Sequence, residues 1–342
     1  MRMADEQDRV EAAASVAEHD RGLLGSGFGP SIGQRGSDSV LTVLLALGAN
    51  LLVAVAKSVA AVITRSASLT AEAAHSWADT GNEIFLLVAN RRSARPPDRA
   101  HPLGHGREAY VWSLFAAVGL FVAGGAVAIT HGVNELRSPT PAENFVVGYV
   151  VLAVSFVLEG TSFLQSVRQA RTAAQSMQRD LIEHVMATSD PTLRAVFAED
   201  AAALIGLVLA TAGLAAHQAT GSPVPDAIGS ILVGVLLTVV AGVLVNRNRR
   251  FLVGQEADPR VRAAVLRALL ALPEVARVTY LRLDVVGPWM ISVVGDVDLT
   301  GDDVESHVAV RLRALEAKIS ASPAIVGAVL SLSAPDEPTL TA

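Results

Sequence analysis

Residues 71–83, AEAAHSWADTGNE, gather Glu72, His75, Asp79, Asn82 and Glu83 into one short stretch. Read as a helix, the stretch stacks His75 and Asp79 on one face, and Glu72 and Glu83 extend that face. An imidazole nitrogen and a carboxylate oxygen so placed can share one divalent cation, at metal–ligand distances of about 2.0–2.2 Å. The bland alternative is a buried His–Asp hydrogen bond that locks helix packing. The setting decides between the two. The stretch lies inside a long apolar segment, and a charge at the centre of a bilayer costs roughly 2.5–3.5 kcal/mol on insertion scales, so an ionisable cluster there is read as functional. A second group of acids lies in SDPTLRAVFAEDAAALIG at 189–206. Ser189 and Asp190 are helix caps and Pro191 belongs to the first turn. Asp200 falls about 13 Å along that helix at ~1.5 Å per residue, a depth similar to that of His75 and Asp79 entering from the opposite side. Glu199 points about 100° away from Asp200 around the helix axis.

The elements that must hold these groups follow from composition. Of 342 residues, 51% are hydrophobic and 18% charged, whereas soluble domains carry about 25% charged residues. The chain therefore reads as an integral membrane protein. A net charge of −6 argues against a nucleic-acid partner, and zero cysteines exclude disulfides and thiolate metal sites. Any metal is held by nitrogen and oxygen. Six stretches have the length of a bilayer span: 40–63, 67–90, 110–131, 145–166, 193–216 and 227–245. The second and fifth carry acids and are expected to be missed by hydropathy alone. Arginines cluster in alternate connections: Arg91, Arg92, Arg95, Arg99 and Arg107; then Arg168, Arg171, Arg179 and Arg194; then Arg247, Arg249 and Arg250. By the positive-inside rule both termini are cytoplasmic.

Residues 1–37 are polar and Gly-rich, without the features of a signal peptide, and read as a disordered cytoplasmic tail. Residues 38–250 form the expected six-helix transmembrane domain. Beyond Arg250 the periodicity changes: helical over 259–272, strand-like over 275–286 and 289–299 with Gly287-Pro288 as the turn, helical over 301–320, and strand-like again over 324–333. The order αββαβ predicts a small ferredoxin-like α+β domain over 251–335, followed by a tail at 336–342. The fold class is thus an all-α six-helix membrane bundle plus a cytoplasmic α+β domain.

Several motifs in order resemble the cation diffusion facilitators, the solute carrier 30 type of zinc transporter. SASLTAEAAHSWADTGNE resembles the metal-pair signature of their second helix. RPPDRAHPLGHGREAY resembles the loop after it, PDAIGSILVG the start of their sixth helix, and FLVGQEADPRV the approach to their cytoplasmic domain. The resemblance covers about residues 40–335. It implies a homodimer in the membrane lipid that exports Zn2+ or a similar ion from the cytoplasm in exchange for protons, with no enzymatic activity and no cofactor. It also implies a transport site of His75, Asp79 and Asp200. The family's fourth ligand position falls on Val196, a departure, and the EDAAA pattern at 199–203 resembles the zinc transporter nine branch. Glu199, a second oxygen of Asp200, or water then completes the shell. Such a nitrogen–oxygen set suits Zn2+ and admits Mn2+, Fe2+ or Co2+. Metal and protons compete for its lone pairs.

In the family the loop can hold a second, non-essential metal, and here it offers Asp98, His101 and His105. Lys57 is expected to pair with Glu159 or Glu199, and Asn50 and Asn82 to make interhelical hydrogen bonds. His131 and His217 are expected at the membrane interface. Related soluble domains often carry metal ligands, histidines on the strands among them; here the domain has His307 on a helix and none on its strands, so the resemblance implies a dimerisation domain with a weak or absent metal site. A competing intramembrane protease would want HExxH, and His75 has neither an acid beside it nor a histidine four residues on. A membrane metal sensor or scaffold that binds without transport remains an alternative. The Ala- and Arg-rich composition suggests a bacterial chain, whose membrane is then the cell membrane.

Overall fold

A computed structural model describes residues 40–301 and 303–341. The expected tail at 1–37 lies outside the described residues. In chain order the helices are α1 (Val40–Thr64), α2 (Ala67–Ser93), α3 (Glu108–Gly119), a π-helical segment (Leu120–Ala126) running directly into α4 (Val127–Arg137), α5 (Phe145–Ser176), α6 (Leu181–Ala187), α7 (Pro191–Thr220) and α8 (Val224–Val253). Then come α9 (Pro259–Leu270), β1 (Val275–Gly287), β2 (Met290–Leu299), α10 (Glu305–Ser320) and β3 (Ile325–Leu332). The chain divides into two compact units. One contains residues 40–92 and 108–252; the other contains Ser93–Arg107 together with the described residues from 253 onward.

The first unit is the helical bundle. α1, the continuous α3–π–α4 rod, α5, α7 and α8 are long and apolar enough to cross a membrane. α7 therefore meets the apolar standard despite its acids, contrary to the sequence expectation, because Ala and Leu dominate around them. α2 does not meet it. Its polar groups are instead turned inward: Glu72, His75, Ser76, Thr80 and Asn82 are all buried. Small residues let its neighbours close over it, with Ala71 and Ala78 in one core with Ala117, Leu120, Ala195, Val233 and Leu237. α5 and α8 continue past the expected ends at 166 and 245, because nothing in their polar last turns breaks a helix.

Two close approaches fix the frame. The π-helical segment meets α8 nearly backbone to backbone: a Cβ on Gly125 would lie 3.2 Å from the Gly234 carbonyl, and one on Gly234 would lie 2.8 Å from that of Gly125. Small residues allow this packing, which is a source of helix association in lipid. At the other place, α8 caps α2. Asp226 is buried, and its carboxylate accepts from the Ala67 amide at 2.6 Å, the Ser66 hydroxyl at 2.9 Å and the Ser68 amide at 3.3 Å. The first amides of a helix have no partners within it, and here a carboxylate from another helix supplies them. Ser68 returns the bond by donating to the Asp226 carbonyl at 2.8 Å.

The second unit has a three-stranded sheet in the order β1-β2-β3, with β1 and β2 antiparallel and β2 and β3 parallel. The αββαβ order is as the sequence predicts. The hairpin turn is Pro288-Trp289, one residue later than expected: Gly287 pairs with Met290, and Trp289 takes the positive φ of 60°. Val265, Leu266, Leu269, Val278, Leu283, Val293, Val297, Leu315 and Ile319 supply the buried apolar side chains.

Replacing Asp226 with Ala leaves two buried amides and a hydroxyl without their acceptor. A lost cap costs about 0.5–2 kcal/mol and an unsatisfied buried donor about 1–3 kcal/mol. Thermal unfolding of the purified protein should therefore fall by several degrees in Asp226→Ala and by less in Asp226→Asn, which keeps one acceptor oxygen. Equal melting of Asp226→Ala and wild type would remove this cap from the account of α2.

Candidate metal centre

His75 is fully buried on α2, and its Nε2 stands 3.4 Å from Asp79 Oδ2 one turn on. Neither ring nitrogen has a hydrogen-bond partner, nor has Asp79 Oδ1. Two ligands about 2.1 Å from a tetrahedral ion stand about 3.4 Å apart. The pair thus already has the donor separation of a tetrahedral metal site. A hydrogen-bonded His–Asp lock would instead show a shorter, aligned contact.

α7 brings its acids up differently from one another. Glu199 is buried, and the Asn82 side-chain amide of α2 donates to its Oε2, while its Oε1 has no partner. Asp200 is turned towards α5, where the Ser162 hydroxyl donates to its Oδ2 at 3.1 Å. Val196 packs beside the apolar cluster of Ala71, Ala78 and Ala195. The turn that would carry the family's fourth ligand is thus part of the core. The His75–Asp79 pair and the two α7 acids are not drawn into one three-donor cluster in this structure; among the described residues that convergence occurs only in the loop.

Unpaired polar atoms follow the same stripe of α2: Glu72 Oε1, both His75 nitrogens, Asp79 Oδ1, Asn82 Oδ1 and Glu83 Oε2. Positions 72, 75, 79, 82 and 83 recur at helical spacing, so they share one face. Asn50 of α1 donates to Glu83 Oε1 at 2.5 Å. Both asparagines are therefore interhelical hydrogen-bond donors, as their position in an apolar bundle suggests.

Lys57 pairs with Glu159, one of its two expected partners, at 3.6 Å, but its nearer partner is Glu72 at 3.1 Å, and Glu199 is taken by Asn82. The sequence offered a signal for Glu72, which sits three residues before His75 on the same face. Arg194, counted with the arginines of a connection, is buried in the first turn of α7; it donates to the Thr188 carbonyl and, at 3.4 Å, to Asn248, and lies over the Phe251 ring. His217 stands in the last turn of α7, at a helix end as expected, and is buried, with its Nε2 accepting from the Ala142 amide at 3.3 Å.

The loop Ser93–Arg107 brings together a second group of candidate donors. Asp98 Oδ1 accepts from the Ala100 and His101 amides at 2.8 Å each and lies 3.2 Å from His101 Nδ1; Oδ2 lies 2.9 Å from His105 Nε2. All three side chains present a donor atom within 4.8 Å of the others. Hydrogen bonds from His105 and from the His101 backbone and ring hold the Asp98 carboxyl well below the usual carboxylate range. Its charge, and the order it gives the loop, are present above the usual carboxylate pKa and are lost only as pH falls through the depressed value. Gly104, at φ 74°, makes the turn between the two histidines.

Residues 43–253 match the family model described as the cation efflux transmembrane domain. Metal tolerance protein C4 of Arabidopsis thaliana is 36% identical over 236 residues, 69% of this chain and 52% of that protein. The mitochondrial proton-coupled zinc antiporter SLC30A9 of Xenopus laevis is 34% identical over 72% of this chain and 44% of its own length, and its human counterpart 32% identical over 72% and 43%. The chain thus spans about half the length of these relatives. The family model alone covers well over half of the chain, and with these relatives it makes the protein a member of the cation efflux, or cation diffusion facilitator, family, on its SLC30A9-like branch.

Proposed function

We propose that this integral membrane protein exports divalent metal cations, Zn2+ foremost, from the cytoplasm in exchange for protons. The ion binds near mid-membrane between α2 and α7, to His75 and Asp79 with Asp200 and Glu199, and the bundle opens to one side at a time. The observation that carries this reading is the 3.4 Å His75–Asp79 separation, with both imidazole nitrogens unpaired in a fully buried residue. An imidazole with two or three carboxylates nearly neutralises a divalent ion yet still accepts protons, so metal and protons compete for one set of lone pairs. The names of the SLC30A9 relatives, zinc antiporters coupled to protons, point the same way. Transport, not catalysis, is the activity assigned. The arginine pattern supports cytoplasmic termini, and the composition a bacterial cell membrane. Residues 38–250 are then the transmembrane domain and 251–335 a cytoplasmic dimerisation domain of a homodimer.

A sensor or scaffold is the second reading. It is favoured by the convergence of Asp98, His101 and His105, three donors outside the spanning helices. We assign this loop an auxiliary ion, with transport continuing in its absence.

Three outcomes test these assignments. In proteoliposomes, Zn2+-driven proton movement should fall at least tenfold in Asp79→Ala and Asp200→Ala, with Mn2+, Fe2+ and Co2+ compared in parallel. Full flux in either variant would sink the site, and tight binding without flux of any metal would favour the sensor. Glu199→Gln should weaken Zn2+ binding by an order of magnitude or shift metal preference; unchanged affinity and preference would take Glu199 out of the ligand set. Asp98→Asn should lower the number of Zn2+ bound per chain by one and leave most of the flux. Loss of flux with an unchanged ion count would reverse the roles given to the loop and the bundle.

A further inference from the structure

Lys57 of α1 is fully buried, and carboxylates from two other helices converge on it: Glu72 of α2 at 3.1 Å and Glu159 of α5 at 3.6 Å. Glu72 is itself fully buried, and its second oxygen, Oε1, has no hydrogen-bond partner. That oxygen lies against Gly206 of α7, where a Cβ would come within 2.5 Å of it. Two carboxyl groups face one ammonium, and one carboxyl oxygen is left unpaired in an apolar bundle. Apolar side chains of similar volume would often serve packing as well or better. The arrangement is that of a cation site, with the cation attached to the chain.

We propose that Glu72 and Glu159 form a second divalent-cation site, and that the Lys57 ammonium is its tethered occupant, keeping a metal ion out. Glu72 lies three residues from His75, less than one helical turn, on the side of the pair away from Arg91 and Arg92. An ion leaving His75 and Asp79 in that direction meets these acids next. Metal–oxygen bonds of about 2.0–2.2 Å would require the carboxylates to close in by on the order of 1 Å from their distances to Nζ. The ammonium holds them apart, so the ion passes without being captured. The role in release rests on the reading of His75 and Asp79 as the transport pair; the site itself does not.

The test is the number of Zn2+ ions bound per chain at equilibrium, measured on the full-length protein with Zn2+ alone as the probe. Lys57→Met should bind one ion more than wild type, Lys57→Arg the same as wild type, and Lys57→Met combined with Glu72→Gln should lose the extra ion. Zn2+ flux in Lys57→Met should fall tenfold or more as the ion is held. Lys57→Gln, which keeps a hydrogen-bond donor to Glu72, should gain the ion too and serves where the methionine variant does not fold. A folded Lys57→Met or Lys57→Gln with the wild-type count overturns the inference. Asp79→Ala separates it from the functional reading: it should remove one ion from both wild type and Lys57→Met. If Asp79→Ala changes nothing while Lys57→Met still gains an ion, the second site stands and the transport pair falls.

Discussion

Charge inside an apolar bundle has to be matched within a few ångströms, and α2 concentrates that demand. Lys57 meets Glu72 at 3.1 Å, Asn82 meets Glu199, and Asn50 meets Glu83 at 2.5 Å. Each of these contacts ties α2 to a different neighbour or to another level of the same one. The helix most poorly suited to lipid is thereby the one most fully enclosed. Its alanines are as important as its acids, because they let α3, α7 and α8 approach closely enough to exclude lipid from the polar face.

The enclosure is not complete in hydrogen-bonding terms, and that incompleteness marks the site. Buried polar groups in folded proteins are almost always paired. Here the longest run of unpaired atoms lies along one face of α2, from Glu72 to Glu83, while others lie singly elsewhere, on Ser166, Glu199 and His217 among them. A helix built only for packing would have no reason to align them. Capping by Asp226 at one end fixes where this stripe begins, so the partner-seeking groups are presented at set heights between α7 and α5.

Most of the architecture could be read from the sequence, because it depends on local pattern. Apolar length placed five of the long helices, alternation placed β1 and β2, and the four-residue spacing of His75 and Asp79 placed that pair on one helix face. Long-range geometry was less legible. The spacing of Lys57 pointed to Glu159, which it meets, but did not rank Glu72 above Glu199, although Glu72 shares the face of His75. Whether Asp200 turns towards α2 or Ser162 depends on the rotation of α7 and on a rotamer, neither of which periodicity fixes. Arg194 looked like a loop arginine because it stands in the first turn of α7, yet that turn is covered by Phe251 and Asn248. Asp226 could have been suspected, as an acid in the first turn of an apolar helix, but the helix it caps is not its own.

The soluble unit is not contiguous along the chain. Ser93–Arg107 is part of it, and Gly106 fits so closely against the β1–β2 hairpin that a Cβ would stand 2.6 Å from the Val286 carbonyl and 2.8 Å from the Gly287 Cα. Cutting the chain after Leu252 would not simply remove a module. It would strip the loop that carries Asp98, His101 and His105 of the surface it folds against. A truncated form and the intact protein would therefore differ in two places at once, because this unit is drawn from two separate stretches of the sequence.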